Sequence, residues 1–320
     1  MSSPAIHLRP NQRAWRRFRR NRGAMIAAII LFLLVAVVLI WPLFSHPQIA
    51  GFFPKAITQN QNAVSDAQFE NPGAEHWLGT DVHGRDLLAR IFAGSQISLL
   101  VGLVGAAVSL VIGVLWGAIA GYCGGRTDSW MMRFVDVLYS MPSIVFVIVL
   151  ISALNAFLGK MQTGPTGFSA ATVRTIQFAA LFVGLGAVSW LTMARIVRGQ
   201  VLSLRTRAFV DASRVLGASH ARILLKHILP NVYGVIIVYL TLTIPSIILY
   251  ESFLSYLGLG IQPPQASLGS LIASGAEQIN SIRIYWWLIV FPGGMLATTL
   301  LALNFVGDGL RDAFDPRAEK

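Results

Sequence analysis

Residues 211–230 read DASRVLGASHARILLKHILP, and they lie between two predicted bilayer spans, 178–199 and 231–255. A loop between two crossings has no need to be half apolar, yet this one is. Gly217 splits it into two short helical pieces, because glycine turns without a Cβ penalty, and Pro230 is expected to end the second. Asp211 stands near the start of the first piece, where a carboxylate suits the positive helix end. Phe209, Val210, Val215 and Leu216 give that piece an apolar side. The second piece sets Ala221, Leu224, Leu225 and Ile228 on one face and Ser219, Arg222 and Lys226 on the other, at three- and four-residue spacing. An amphiphilic hairpin outside the bilayer fits the groove of another protein.

The rest of the chain supplies the bilayer. Of 320 residues, 55% are hydrophobic and only 12% charged, about half the charge of an ordinary soluble domain. Charge-free runs long enough to cross a hydrocarbon core, which takes about 20 helical residues, predict six spans: 24–44, 96–121, 137–158, 178–199, 231–255 and 285–306. The lone Cys123 excludes an internal disulfide and a cysteine-based zinc site.

With the N-terminus inside, nineteen Lys and Arg residues fall on the inner side and six on the outer. The positive-inside rule therefore sets both termini in the cytoplasm, and the net charge of +11 is mostly topology. No folded basic domain suggests a nucleic-acid partner. The first span closes on Trp41-Pro42 with no small-x-small cleavage site, so an uncleaved anchor is expected rather than a signal peptide. Arg13–Arg22 with Trp15 and Phe18 reads either as a helix along the inner leaflet, attracted to anionic lipid, or as a solvated basic tail.

Within the second span Gly113, Gly117 and Gly121 recur every fourth residue. Small residues let helix backbones approach closely in lipid. The partner helix is either in this chain or in another. Pro142, Pro245 and Pro292 fall in or near spans three, five and six and shape those helices. Glu251, near the outer end of span five, is a possible pathway or interface residue; the plainer reading is a carboxylate bonding to nearby backbone. Paired ionisable groups deep in the spans, the mark of a proton- or sodium-driven carrier, are missing. Outside, Gly79 and Gly84 mark turns. A short surface helix is expected from Asp86, with Leu87, Leu88, Ile91 and Phe92 on one side. A second is expected at 267–279 behind Pro263-Pro264. Together they would form a shallow platform.

The hairpin resembles the loop signature of permease subunits of ATP-binding-cassette importers: Glu-Ala-Ala, three residues, Gly, nine residues, Ile-x-Leu-Pro. It matches at Ala212, Gly217, Leu229 and Pro230, with Asp211, Ser213 and His227 as departures. The sequence His227-Ile228-Leu229-Pro230-Asn231 looks like the dipeptide and oligopeptide branch. So do Leu78-Gly79-Thr80-Asp81 with Gly84-Arg85-Asp86, Gly121-Tyr122 with Gly124-Gly125 and Asp128, Glu251-Ser252 through Gly260, and the tail Gly307-Asp308 to Asp315-Pro316. Leu268 stands where that branch often has Trp. The N-terminal polar stretch and the large outer loop resemble the C-type subunit of the pair.

The resemblance implies an all-α integral membrane protein of six transmembrane helices, similar to type I importer permeases, with short amphipathic interfacial helices. It divides the chain into a cytoplasmic basic segment 1–23, a first span 24–44 and an extracytoplasmic segment 45–95. A five-helix core 96–306 with its coupling loop at about 205–230 follows, then a cytoplasmic tail 307–320. Asp211, Ala212, Ser213, Leu216, Gly217, Ala218, Ser219 and Arg222 would couple the chain to an ATPase. The implied partners are a second permease in a heterodimer, two ATP-binding subunits, an extracytoplasmic solute-binding protein and membrane lipid. ATP and Mg would sit on the partners, since this chain has no Walker A pattern and no H-E-x-x-H motif. The expected location is the bacterial inner membrane. The competing reading is a secondary transporter or channel. Nickel, opine and cell-wall peptide importers share the motifs and remain open as cargo classes.

Overall fold

The computed structural model describes residues 10–44, 58–162, 169–279 and 283–314; the expected features at 1–9, 45–57 and from Asp315 onward lie outside them. The described residues form helices, with a single isolated bridge between Thr80 and Asp86. In chain order these are α1 (Pro10–Arg20), α2 (Arg22–Phe44), α3 (Leu87–Cys123), α4 (Gly125–Ser140), α5 (Ser143–Gln162), α6 (Ala170–Leu204), α7 (Ala208–Val215), α8 (His220–Tyr256), α9 (Leu268–Glu277) and α10 (Trp287–Phe314). Five helices are long and apolar enough to cross a membrane, or six if the bent pair α4–α5 is counted as one span.

That pair corrects the third expected span. Pro142 turns the chain by 85° between α4 and α5, so residues 137–140 end one helix and the crossing starts at Ser143. The residue before proline is pushed out of the helical region, and Met141 is extended at φ −83°, ψ 138°. The short surface helix expected from Asp86 is also corrected. Asp86 caps α3 by accepting the Ala89 N–H at 2.8 Å, and α3 then runs unbroken to Cys123. Leu87 and Ile91 are buried against Leu268, Leu271, Trp287 and Leu288, so this stretch is the deep start of a crossing. The second expected surface helix forms as α9, closed by a capping box in which Ser267 and Ser270 serve one another's backbone. Ile279, the last residue of the expected stretch, is exposed beyond the end of α9.

The core is built on α3 and α6. Gly113, Gly117 and Gly121 lie along α6: a Cβ on Gly113 would reach Met193 Cβ at 2.6 Å, one on Gly117 would run into the Ala194 carbonyl, and one on Gly121 would reach the Arg198 carbonyl at 2.8 Å. Beside this seam, Val101, Leu181, Leu185, Ile247 and Leu254 fill the space between α3, α6 and α8. The apolar face of α2 (Ile29, Phe32, Leu33, Leu39) stays exposed, as a lipid-facing helix requires.

Pro230 does not end the second half of the hairpin. It sits at the second position of an α-helical stretch, preceded by a π-helical turn over Ile223–Ile228. A proline in a helix lacks an N–H and clashes with the carbonyl four residues back. The wider turn meets both needs, with Leu229 N–H bonding to Leu224 O and the Asn231 side chain donating to the His227 carbonyl at 2.6 Å. The buried face consequently runs through Ile223, Ile228 and Val232, five residues and then four apart. It keeps Ile228 and the half-buried Leu224 of the face predicted from strict α spacing, but Ile223 takes the place of Ala221 and Leu225, which are exposed.

Candidate functional site

The 205–228 elbow projects from one end of the bundle, the end that also carries α1 and the close of α10. Val210, Ile223 and Ile228 are fully buried beneath it against Met193, Val197 and Val201. Above that base the first piece turns its other side outward. Val215 and Leu216 are five and six residues past Val210, which carries them about 140° and 240° around the helix axis. They are 88% and 86% exposed, so the single apolar side expected of this piece is divided between a buried root and a bare tip. Gly217 follows at φ +76° with open space around it, a backbone conformation that favours glycine.

Charges and caps stiffen the elbow. Asp211 accepts from Arg214 at 3.0 Å, and Ser213 Oγ donates to the Phe209 carbonyl at 2.8 Å. Ala218 N–H donates to the Ser213 carbonyl at 3.0 Å. Ser219 caps α8 by accepting the Arg222 N–H. Asp211, Ala212, Leu216, Gly217, Ser219 and Arg222 are exposed, and Ser213 and Ala218 are half-buried.

Sequence reasoning missed the brace that ties the elbow to the α3–α4 corner. Arg205 donates to the carbonyls of Gly121 and Tyr122, each at 3.3 Å, and the Tyr122 hydroxyl meets His220 Nδ1 at 2.8 Å. Two helical turns deeper, Arg198 forks onto Asp128, with Nη2 2.7 Å from Oδ2, and Arg195 pairs with Asp136 at 2.7 Å. Arg198 and Arg205 are seven residues apart, two turns on one face, and that spacing was the available clue. Tyr122, Cys123, Arg205, Asp211, Arg214 and His220 line an open hollow of 830 Å³ beside the elbow.

Glu251 lies near the other end of the bundle and is fully buried. Its carboxylate accepts from Ser255 Oγ at 2.6 Å and from Ser98 Oγ at 3.4 Å, and Ser98 in turn accepts the Leu268 N–H at 3.2 Å. The group therefore joins α3, α8 and the start of α9. At the same end, residues 65–86 fold into a compact turn. Thr80 bonds Ala67 and Glu70, and Trp287 Nε1 donates to the Thr80 carbonyl at 3.3 Å. His76 Nδ1 meets Asp86 at 2.9 Å. Burial pushes the Asp86 carboxyl above the usual carboxylate range, and the bonds from Ala89 and His76 offset this only in part. Among the described residues no cluster of His, Cys, Asp and Glu has the grouping of a metal site.

The chain is thus a polytopic helical bundle with a braced, apolar-tipped elbow at one end. Residues 113–320 match the family described as binding-protein-dependent transport system inner membrane component. Residues 9–68 match the N-terminal TM domain of oligopeptide transport permease C. The chain is 43% identical over 308 residues to the oligopeptide transport system permease protein OppC of Haemophilus influenzae, covering 96% of this chain and 88% of that protein. It is 44% identical over 306 residues to OppC of Escherichia coli K12, covering 96% and 91%. It is 40% identical over 309 residues to the dipeptide transport system permease protein DppC of Bacillus subtilis, covering 97% and 86%. A chain of the MetNI methionine ABC transporter in an inward-facing conformation shares the fold, with a TM-score of 0.53 at 19% identity over 71% of this chain and 97% of that one. The chain belongs to the family of inner membrane components of binding-protein-dependent transport systems. It is a multi-pass inner membrane permease of a binding-protein-dependent transport system, with the fold of an ABC transporter chain.

Proposed function

We propose that this chain is the C-type permease subunit of an ATP-driven importer of di- and oligopeptides. It pairs with a second, different permease to form the transmembrane path. Two ATP-binding subunits, which hold ATP and Mg, grip the 205–222 elbow from the cytoplasm, where both termini also lie. A solute-binding protein delivers peptide at the opposite end. The carrying observation is the bare tip, Val215 and Leu216, on a base whose Val210 and Ile223 are fully buried. Apolar anchors inside a charged rim of Arg214 and Arg222 suit a helix-in-groove contact. The distribution of Lys and Arg supports the orientation, and the named relatives support the peptide cargo.

ATP drives transport only if it binds one state of the assembly more tightly than the other. A rigid handle is what lets closure of the ATPases move the bundle, and the Arg205 and Arg198 bonds supply that rigidity. Asp211→Lys and Gly217→Val test the assignment. Each is expected to reduce ATP-dependent peptide import at least about tenfold, equivalent to one lost charge-assisted or well-packed contact, with the permease retained in the membrane. Import at the native rate in both variants refutes the coupling role.

A further inference from the structure

At the end of the bundle opposite the elbow, a cavity of 340 Å³ opens between the 81–90 segment, the 258–265 loop and α9. Arg90 lines it and is only 7% exposed. Its Nε and Nη1 have no hydrogen-bond partner. Nη1 makes only a long ion pair, 3.4 Å from Asp81 Oδ2, and that carboxylate also serves other donors. Asp81 Oδ2 accepts from Arg85 Nε at 2.7 Å, and Oδ1 accepts the backbone N–H groups of His83 and Arg85 at 2.8 and 3.0 Å. Two guanidinium groups therefore share one carboxylate, and one positive charge is left over inside the protein. Glu277, on the cavity rim, is exposed and forms no ion pair with either arginine among the described residues.

A buried charge without a full partner is costly. The fork of an arginine is shaped for a carboxylate, which it takes with two parallel bonds. Besides Asp81, His83, Arg85 and Glu277, the cavity is lined by neutral polar side chains, among them Gln265, Ser274 and Gln278, which can both donate and accept. They suit a ligand that carries amides next to its anion.

We propose that Arg90 is a binding residue for the C-terminal carboxylate of a transported peptide, held in this cavity as the peptide enters the permease. The assignment rests on the peptide-importer reading. It explains how one site accepts peptides of many sequences, because every free peptide ends in the same carboxylate. A peptide fits the observations better than an acidic side chain of a delivery protein, because Arg90 is buried within a cavity lined on several sides and not set on a protruding surface.

The test uses the complete transporter in proteoliposomes, with its solute-binding protein saturated by either a tripeptide or the C-terminal amide of the same tripeptide. The wild type is expected to import the free acid about tenfold faster than the amide, in line with one charge-assisted contact. In R90Q that preference is expected to fall to near unity, and R90K is expected to retain part of it. Saturation cancels the receptor's own preference. Equal import of acid and amide by the wild type overturns the assignment, whether or not R90Q assembles. So does a preference unchanged in R90Q. An R90Q transporter that loses import of both peptides equally, together with affinity for the loaded binding protein, shifts Arg90 to the protein interface and also overturns it. A wild type that imports neither peptide overturns the importer reading itself.

Discussion

Gly117 is the tightest point of the α3–α6 seam, where a side chain would collide with the carbonyl of Ala194. Backbone cannot retreat as a flexible side chain can, so Gly117→Leu forces the helices apart. Overpacking a tight contact typically costs about 1–3 kcal/mol. The expected outcome is a permease with lowered melting temperature in detergent, measured by thermal unfolding, whereas Gly199→Ala on the same bundle, in open space, does not lower it, because alanine is the better helix former. Glycine spacing was legible because a missing side chain is itself a statement about backbone proximity, although the choice between an internal and an external partner required the fold. The Arg205 and Tyr122–His220 brace was not legible. Its members lie more than eighty residues apart, and no local period reports a contact across that distance. Arg90 was visible only as one more outer cation, since its unbonded Nε and Nη1 emerge only when Asp81 is seen to be shared with Arg85.

Elements were read best where hydrophobicity alone sets their limits, and worst where a proline acts. Pro142 bends the chain while Pro230 is absorbed by a π turn, and residue type does not distinguish these outcomes. The surroundings differ: at Pro230 the chain continues through a π turn, with Leu229 N–H on Leu224 O and the Asn231 side chain on His227 O, whereas Met141 is extended before Pro142. The π turn also moved the buried face of 220–232, because five-residue steps replace the assumed three and four. α9 shows the reverse case, a short helix read from its apolar spacing, to which the structure adds the Ser267 cap. What the sequence did not show is how α9 is fastened. Glu251 reaches it through Ser98 and stands beside Ser255, so a buried carboxylate holds three helices together. Glu251→Leu leaves the Ser98 and Ser255 hydroxyls without their acceptor, at about 1–3 kcal/mol for each unsatisfied group. Glu251→Gln keeps an acceptor oxygen. Proteolysis or hydrogen exchange across 266–277 is expected to rise sharply in Glu251→Leu and little in Glu251→Gln. Equal protection in both variants removes the carboxylate from that role.

The orientation of the whole molecule has a test built into the chain. Cys123 is its single cysteine, and it is exposed at the junction of α3 and α4, lining the open hollow beside the elbow with Arg205 and Asp211. Six crossings return α1 and the end of α10 to that same side, where Phe18 and Ala313 share one apolar cluster, so one reporter fixes both termini. If positive charge sets the topology, a membrane-impermeant maleimide labels Cys123 in inside-out vesicles and leaves it unlabelled in intact spheroplasts. The reverse pattern inverts the molecule and moves the Arg90 cavity to the cytoplasm. The same thiol reports on the elbow. In vesicles carrying the two permeases alone it is expected to react freely, and adding the ATP-binding subunits is expected to slow labelling at least about tenfold, as burial at a specific interface excludes solvent from its centre. Labelling at an unchanged rate means that the subunits dock elsewhere. Together with a native import rate in Asp211→Lys, that result would leave the braced elbow without a mechanical task.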